Sequence, residues 1–146
     1  ATGGELYALG RAGERFAVRN SGATTVVEGS GDHCCEYMTG GVVVVLGRTG
    51  RNVAAGMTGG VAFVLDEEDS LERLLNPDTV TLYPITTAEQ EGLLRPLLEE
   101  HLRRTGSQKA AAILADWPSW QGRFKVLVPP SELAAVGLAQ REQVVA

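Results

Sequence analysis

A repeat of 19 residues is the feature that most restricts the fold of this 146-residue chain. Three stretches, beginning at Ser21, Gly40 and Gly59, align without gaps. The alignment superimposes Gly22, Gly41 and Gly60, then Val26, Val45 and Val64, then Gly31 and Gly50, then Met38 and Met57, then Thr39 and Thr58. A fixed period of about 20 residues is typical of a solenoid, in which each repeat forms one coil stacked on its neighbours.

Each repeat contains a run of strand-forming residues, namely Thr24 to Val27, Val42 to Leu46 and Val61 to Leu65. Fourteen of the 18 glycines lie in residues 1–60. A helical repeat would not tolerate that density, because glycine costs about 1 kcal/mol relative to alanine inside a helix. The leucine and asparagine spacing of a leucine-rich repeat is absent. The pattern therefore predicts a mainly β fold, a right-handed parallel β-helix of 19-residue coils with a C-terminal helical appendage.

Glycines and polar residues between the runs are predicted to form the corners of the coils. The candidate structural residues are Gly22, Gly31, Asp32, His33, Gly41, Gly50, Asn52 and Gly60. Hydrogen bonding at a turn is the expected role of Asp32, His33 and Asn52. The run Val42 to Leu46 is apolar on both faces of a strand, so both faces should be buried. We expect the chain's C-terminal part or a partner to cover the face that does not point into the coil.

The composition changes after Asp66, which predicts coils over residues 1–66 and a different region over residues 67–146. That second region should contain a final strand region, two helices and an extended tail, packed on the coils or on a partner. The first helix has a leucine face and Thr86 or Thr87 as a possible cap, and Pro96 should kink it or delay its start. The remaining expected features are a strand over Val80 to Tyr83, a helix stop at Gly106, a cap at Ser107 for a helix reaching about Asp116, a strand over Phe124 to Val128 and weak helix over 131–146.

Composition and charge exclude several classes of protein. The net charge of −5 argues against binding to nucleic acid or to an anionic membrane surface. No apolar run approaches the roughly 20 residues of a membrane span, and no signal peptide is expected. Two adjacent cysteines do not make a disulfide framework, so we expect a reducing cytoplasm. The chain begins at Ala1 without a visible capping coil, as a trimmed terminus or a fragment would, and we expect its first strand edge to be open.

The residues offer little evidence of chemistry. Asp32 to Glu36 is the densest cluster of reactive side chains, but adjacent cysteines in a strand point to opposite faces and would not share a metal. We therefore expect one of Cys34 and Cys35 to be buried and the other to face outward. His101 is expected to be a core or boundary histidine bonded to backbone. No catalytic, cofactor-binding or metal-binding residue is predicted.

The stretch from Gly13 to Asp66 closely resembles the C-terminal glycine-rich (GXGXG) β-helix domain of the large (alpha) subunit of glutamate synthase. The tail is similar too, in His101, in Thr105 to Ser107, in Ile113, Leu114 and Trp117, and in Phe124 to Val126. The formylmethanofuran dehydrogenases contain a related β-helix in one of their chains, and a scaffold of that kind is the alternative within the same fold. One departure is Cys34, where the glutamate synthase family usually has glycine.

The resemblance implies a function without a site of its own in this chain. It implies a non-catalytic scaffold domain or subunit, while glutaminase, FMN and iron–sulfur chemistry belong to other domains of the parent enzyme. Those glutaminase and FMN-barrel parts are the expected partners, in glutamate biosynthesis and nitrogen assimilation. The alternatives are a stand-alone interaction or regulatory module, which predicts a homo-oligomer, and an enzyme in its own right. The electron donor of the parent enzyme is left open.

Overall fold

A computed structural model describes residues 4–9, 17, 20–29, 34–35, 38–47, 53–54, 57–66, 81–84 and 88–129, with side chains for all of these except residues 81–84, 88 and 89. Several sequence-based expectations lie outside these residues. They concern the corner residues Gly31, Asp32, His33, Gly50 and Asn52, the helix cap at Thr86 or Thr87, and the tail over residues 131–146.

One mixed sheet organises the part of the chain that is described. Its six strands are β1 (Glu5–Tyr7), β2 (Ser21–Val27), β3 (Thr39–Val45), β4 (Gly59–Leu65), β5 (Thr81–Pro84) and β6 (Phe124–Val128). Their order across the sheet is β1-β2-β3-β4-β6-β5. Strands β1 to β4 run parallel, and β6 pairs antiparallel with both β4 and β5. The mainly β prediction is confirmed, as are strands at the three repeated runs and at Phe124 to Val128.

Residues that pair between successive parallel strands β2, β3 and β4 are separated along the chain by nearly the 19 residues of the repeat. Val45 lies opposite Val64, as the alignment predicts, but Val26 lies opposite Val44 rather than Val45. The predicted register is therefore wrong by one residue between β2 and β3. The physical reason is an irregularity of register between Ser21 and Thr24, where β2 contains one residue more than β3. An ungapped alignment cannot show such a bulge.

Both faces of the sheet are buried, each in its own hydrophobic cluster. On one face, Val44 and Phe63 pack with residues of the C-terminal helices, including Leu94 and Ile113. On the other face, Val43 packs with residues from the connections between strands: Cys34, Cys35, Met38, Val53, Ala54 and Met57. The expectation that the C-terminal part covers the second face of the valine-rich strand is confirmed. Burying each such aliphatic side chain stabilises the fold by about 1.5–3 kcal/mol.

Among the described residues, three helices follow β5: α1 (Ala88–Thr105), α2 (Gln108–Ala115) and α3 (Trp117–Gln121). Helix α1 continues through Pro96, which removes one backbone donor. The carbonyl left without an intrahelical donor belongs to exposed Gly92, where water can reach it. Gly106 ends α1 with a φ of 69°, and its N–H donates to the carbonyl of Leu102. The predicted helix stop is thus confirmed.

Candidate functional site

Glu28, directly after β2, meets the helical region at a partly buried polar contact. The Ser107 hydroxyl donates to Oε1 of Glu28 at 3.1 Å, and Nε2 of His101 lies 3.9 Å from Oε2 of the same carboxylate. His101 and Ser107 are fully buried, whereas the Glu28 side chain keeps 18% of its surface exposed. We call Glu28, His101 and Ser107 the Glu28 junction.

Ser107 reaches this junction because it begins helix α2. Its hydroxyl oxygen accepts the N–H of Ala110 at 3.1 Å, which is the usual arrangement of a serine N-cap. The predicted cap and the predicted helix after it are confirmed. Because the same hydroxyl donates its proton to Glu28, one side chain both caps α2 and fixes it to the end of β2.

His101 is held in its neutral form. Burial lowers the pKa of the imidazole, and the Glu28 carboxylate offsets only part of that effect. Both ring nitrogens are buried and lack a hydrogen-bond partner within the described ranges. The prediction that His101 is buried is confirmed, but the prediction that it bonds to backbone is wrong. The Tyr7 ring lies nearby, with 6.2 Å between the ring centroids.

The Glu28 junction has the residue types of a hydrolytic triad without its geometry. In such a triad the histidine accepts the proton of the serine hydroxyl, and the carboxylate orients the histidine. Here the described bonds of the Ser107 hydroxyl run to Glu28 and Ala110, and the carboxylate stands 3.9 Å from the imidazole. Such a junction joins strand to helix and has no activated nucleophile.

A network of surface ion pairs connects strand β1 to helix α1. Arg104 contacts Glu5 at 3.1 Å and Glu100 at 3.1 Å, and its guanidinium lies 5.0 Å from the centroid of Tyr7. Arg103 also bonds to Glu100, and these two arginines hold the pKa of that carboxyl at about 2. Strand β1 is thereby attached to helix α1 by charge as well as by packing.

The connections between strands contain a turn that recurs in three successive repeats. Ala17, Cys35 and Ala54 each adopt a left-handed backbone conformation, with φ near 60°. Their carbonyls accept the N–H groups of Asn20, Met38 and Met57 at 3.1 to 3.2 Å. Non-glycine residues rarely adopt this conformation, so its repetition indicates one turn design used in each repeat.

The turns also bond to one another. The carbonyl of Asn20 accepts the N–H of Thr39, and the carbonyl of Met38 accepts the N–H of Thr58, at 2.8 and 2.9 Å. Asn20 occupies the position that Met38 holds in the next repeat, and its Oδ1 accepts the N–H of Ala23 at 2.9 Å. Sequence analysis missed Asn20, because the alignment without gaps places Arg19 there.

The predicted corner glycines that are described lie within the first residues of strands. Gly22 belongs to β2, and its N–H donates to Oδ1 of Asn20. Gly41 and Gly60 have φ values of 87° and 83°, and lie where the register between strands shifts. A Cβ on Gly60 would stand 2.9 Å from the backbone C of Gly40 and the backbone O of Gly41, and the positive φ is itself unfavourable for other residues, so this position requires glycine. Their role as coil corners stays a prediction.

Cys34 and Cys35 are both buried, so the prediction that one of them faces outward is wrong. The prediction assumed an extended strand, whereas Cys35 lies in the left-handed turn, where side chains no longer alternate between faces. The two sulfur atoms lie 3.5 Å apart and form no disulfide. The hydrogen bond with Cys34 and burial raise the pKa of the Cys35 thiol. Both side chains are core residues.

The described ranges lack two other kinds of feature. They contain no group of three or more histidine, cysteine or acidic side chains placed to hold a metal ion. None of their helices combines the length and the apolar character that crossing a membrane requires.

Comparison with known proteins relates this geometry to one family. A family model described as the GXGXG motif matches residues 1–130. Ferredoxin-dependent glutamate synthase 2 of Synechocystis sp. is 60% identical over 132 residues, which are 90% of this chain and 8% of that protein. Ferredoxin-dependent glutamate synthase of Spinacia oleracea is 57% identical, again over 90% of this chain and 8% of that protein. Glutamate synthase [NADH] of Schizosaccharomyces pombe is 52% identical over 93% of this chain and 6% of that protein. The chain spans under a tenth of the length of these relatives.

Proposed function

The chain belongs to the GXGXG motif family, and from this membership we propose that it serves as a scaffold domain or subunit of a glutamate synthase. The observation that carries the proposal is the identity of 52–60% to glutamate synthases over at least nine-tenths of the chain. The enzyme would form glutamate from glutamine and 2-oxoglutarate, in glutamate biosynthesis and nitrogen assimilation. Its place would be the cytoplasm.

The scaffold role is supported by how rigidly the repeats are joined. Each left-handed turn bonds to the next, each parallel strand pairs with the next, and both faces of the sheet are buried. We infer that the connections and strands together form a parallel β-helix with coils of about 19 residues, with the predicted glycines at its corners. Such a stack holds its two ends at a fixed distance and suits the alignment of other domains.

The residue chemistry also favours a scaffold over an enzyme. At the Glu28 junction, the polar groups bind strand to helix, and His101 and Ser107 are fully buried. FMN, an iron–sulfur cluster and a glutaminase nucleophile are expected in other domains of the parent enzyme, and the glutaminase and FMN-barrel domains are the proposed partners. The relatives include enzymes named for ferredoxin and for NADH. We therefore infer that the electron donor is chosen elsewhere in the enzyme.

A stand-alone interaction module is the second candidate, because of the exposed apolar residues beside strand β1. Leu6 and Leu9 have 49% and 57% of their surfaces exposed. Exposed apolar residues at an edge strand favour association with another chain. This candidate predicts a stable homo-oligomer that is independent of any glutamate synthase.

Reconstitution tests the proposed function. The remaining glutamate synthase parts from the same organism are purified and mixed with this chain, and complex formation is followed by size-exclusion chromatography. Glutamine-dependent glutamate formation is measured in the same fractions, with the chain unfolded by heat as the control. Co-elution with a gain in glutamate formation supports the scaffold role. Absence of both, together with a homo-oligomer, favours the stand-alone module.

A further inference from the structure

Two tryptophans on the helical side of the molecule are each contacted by cationic side chains. Trp117 and Trp120 lie three residues apart on α3, which places them on the same side of that helix. Arg95 lies over the Trp117 ring at 5.6 Å, and Lys109 and Arg123 lie over the Trp120 ring at 5.3 and 5.2 Å. We call Arg95, Lys109, Trp117, Trp120 and Arg123 the tryptophan face.

Two donors on this face have no acceptor among the residues described. They are Nε of Arg95 and the indole Nε1 of Trp117, and both atoms are buried. The Trp117 side chain is only 7% exposed, so bulk water does not replace the missing acceptor. A buried donor without a partner costs about 1–3 kcal/mol, and folded proteins contain few of them. Two such donors, on side chains whose guanidinium and ring lie 5.6 Å apart, indicate an acceptor that the described residues do not supply.

The charge of the face indicates what kind of acceptor would fit. The chain carries a net charge of −5, yet this face presents the guanidinium groups of Arg95 and Arg123. The described side-chain partners of Arg95 and Arg123 are aromatic rings rather than carboxylates. By contrast, Arg103 on the same helix as Arg95 is bonded to Glu100. A carboxylate would satisfy both charge and hydrogen bonding, because a guanidinium bonds to carboxylates with charge-assisted hydrogen bonds.

We propose that the tryptophan face is a docking surface for an acidic segment of the remaining glutamate synthase polypeptide, with one carboxylate seated between Arg95 and Trp117. This inference rests on the proposed function. A segment of the enzyme is the chosen occupant because the 132 residues matched here are only 8% of a relative, so most of that polypeptide lies outside this region. Tryptophan and arginine are also the residues that most often dominate the energy of protein interfaces.

Binding measurements with matched variants test the proposal. Arg95→Gln removes the charge and Trp117→Phe removes the indole donor while keeping an aromatic ring. Arg103→Gln is the control, since Arg103 is exposed on the same helix and bonded to Glu100. The dissociation constant for the remaining glutamate synthase polypeptide is measured by calorimetry. We expect it to rise roughly 10- to 100-fold for Arg95→Gln and roughly two- to tenfold for Trp117→Phe, with no change for Arg103→Gln.

A spectroscopic measurement on the unaltered chain is independent of how the variants fold. In ¹⁵N-labelled chain, the indole N–H resonance of Trp117 should move downfield when the polypeptide binds, because the N–H gains an acceptor. The resonance is assigned by its loss in Trp117→Phe. Salt provides a further comparison: added salt should weaken binding of the unaltered chain more than binding of Arg95→Gln.

The outcomes separate this inference from the proposed function. Tight binding by the unaltered chain, with unchanged affinity in both variants and an unmoved indole resonance, overturns the docking surface and leaves the scaffold role standing. Absence of binding by the unaltered chain overturns both. Weaker binding by the two variants together with a moved resonance supports both.

Discussion

The hydroxyl of Ser107 lies 3.1 Å from Oε1 of Glu28, although 79 positions separate the two residues in the chain. The same oxygen accepts the N–H of Ala110 and begins helix α2. The Ser107 side chain thus joins the C-terminal helices to the repeated strands by a hydrogen bond to the Glu28 carboxylate. Bonds of that kind contribute more to stability than bonds between neutral groups.

Replacing Ser107 tests how much this link contributes. Ser107→Ala removes the cap of α2 and the donor to Glu28 together, so the free energy of unfolding should fall by about 1–3 kcal/mol. Urea unfolding followed by circular dichroism measures the change. Ser119→Ala, an exposed serine on α3, should change the free energy by less than about 0.5 kcal/mol. Equal effects of the two substitutions would contradict the described junction.

His101 should make stability depend on pH in a defined window. Burial lowers its folded pKa below the ordinary value of 6.5, so the unfolded chain binds a proton more readily than the folded chain. Stability from this group is therefore complete above pH 6.5 and is lost as the pH falls through and below that value. The groups facing the imidazole are the Glu28 carboxylate and the Tyr7 ring.

Urea unfolding between pH 7.5 and 5.5 measures this effect. His101→Gln should flatten the dependence over that range, because the titrating group is gone. His33→Gln is the comparison for the other histidine in the chain. If the unaltered chain and His101→Gln lose stability in parallel as the pH falls, the buried neutral imidazole is not the cause.

Two glycine-to-alanine substitutions should have opposite effects. In Gly60→Ala the new Cβ meets backbone atoms of Gly40 and Gly41 at 2.9 Å in a left-handed backbone, and the expected loss is about 2–4 kcal/mol. In Gly92→Ala the Cβ meets nothing within 4 Å inside helix α1, and the expected gain is about 0.5–1 kcal/mol. Thermal and urea unfolding measure both. A Gly60→Ala chain as stable as the unaltered one would show that the strands do not pack this closely.

Asn20 should be required for the turn before β2. Its side chain accepts the N–H groups of Gly22 and Ala23 and donates to the carbonyl of Ala23 at 3.0 Å. Asn20→Ala removes these partners from the N–H and carbonyl of buried Ala23, and the expected cost is about 1–3 kcal/mol. Asn20→Asp keeps both accepted bonds and should cost less. Equal losses for the two variants would assign the effect to packing rather than to these bonds.

The sequence predicted the strands well because their runs are apolar and β-branched, as at Val42 to Leu46. It predicted the break between α1 and α2 because Gly106 and Ser107 are strong local signals. It failed where the outcome depends on contacts distant in the chain. Glu28 looked like an ordinary residue after a strand, since its partner Ser107 is 79 positions away.

Two further errors arose from backbone geometry that composition does not reveal. The bulge between Ser21 and Thr24 shifts the register by one residue. Asn20 therefore takes the position in its turn that Met38 takes in the next repeat. Cys35 adopts a left-handed conformation, and both cysteines are buried as a result. Ala54, at the equivalent position of the next repeat, adopts the same conformation. Nothing in either residue type favours positive φ, so the neighbouring repeats must impose it.

The activity of reconstituted glutamate synthase with altered junction residues tests the scaffold role most directly. His101→Asn and Glu28→Gln remove the most reactive groups of the Glu28 junction while keeping similar size. The activity per assembled enzyme should stay within about twofold of the unaltered enzyme, even where the melting temperature falls. A loss of about 100-fold or more in fully assembled enzyme, which is the usual effect of removing a general acid or base, would contradict the scaffold role and make the junction catalytic.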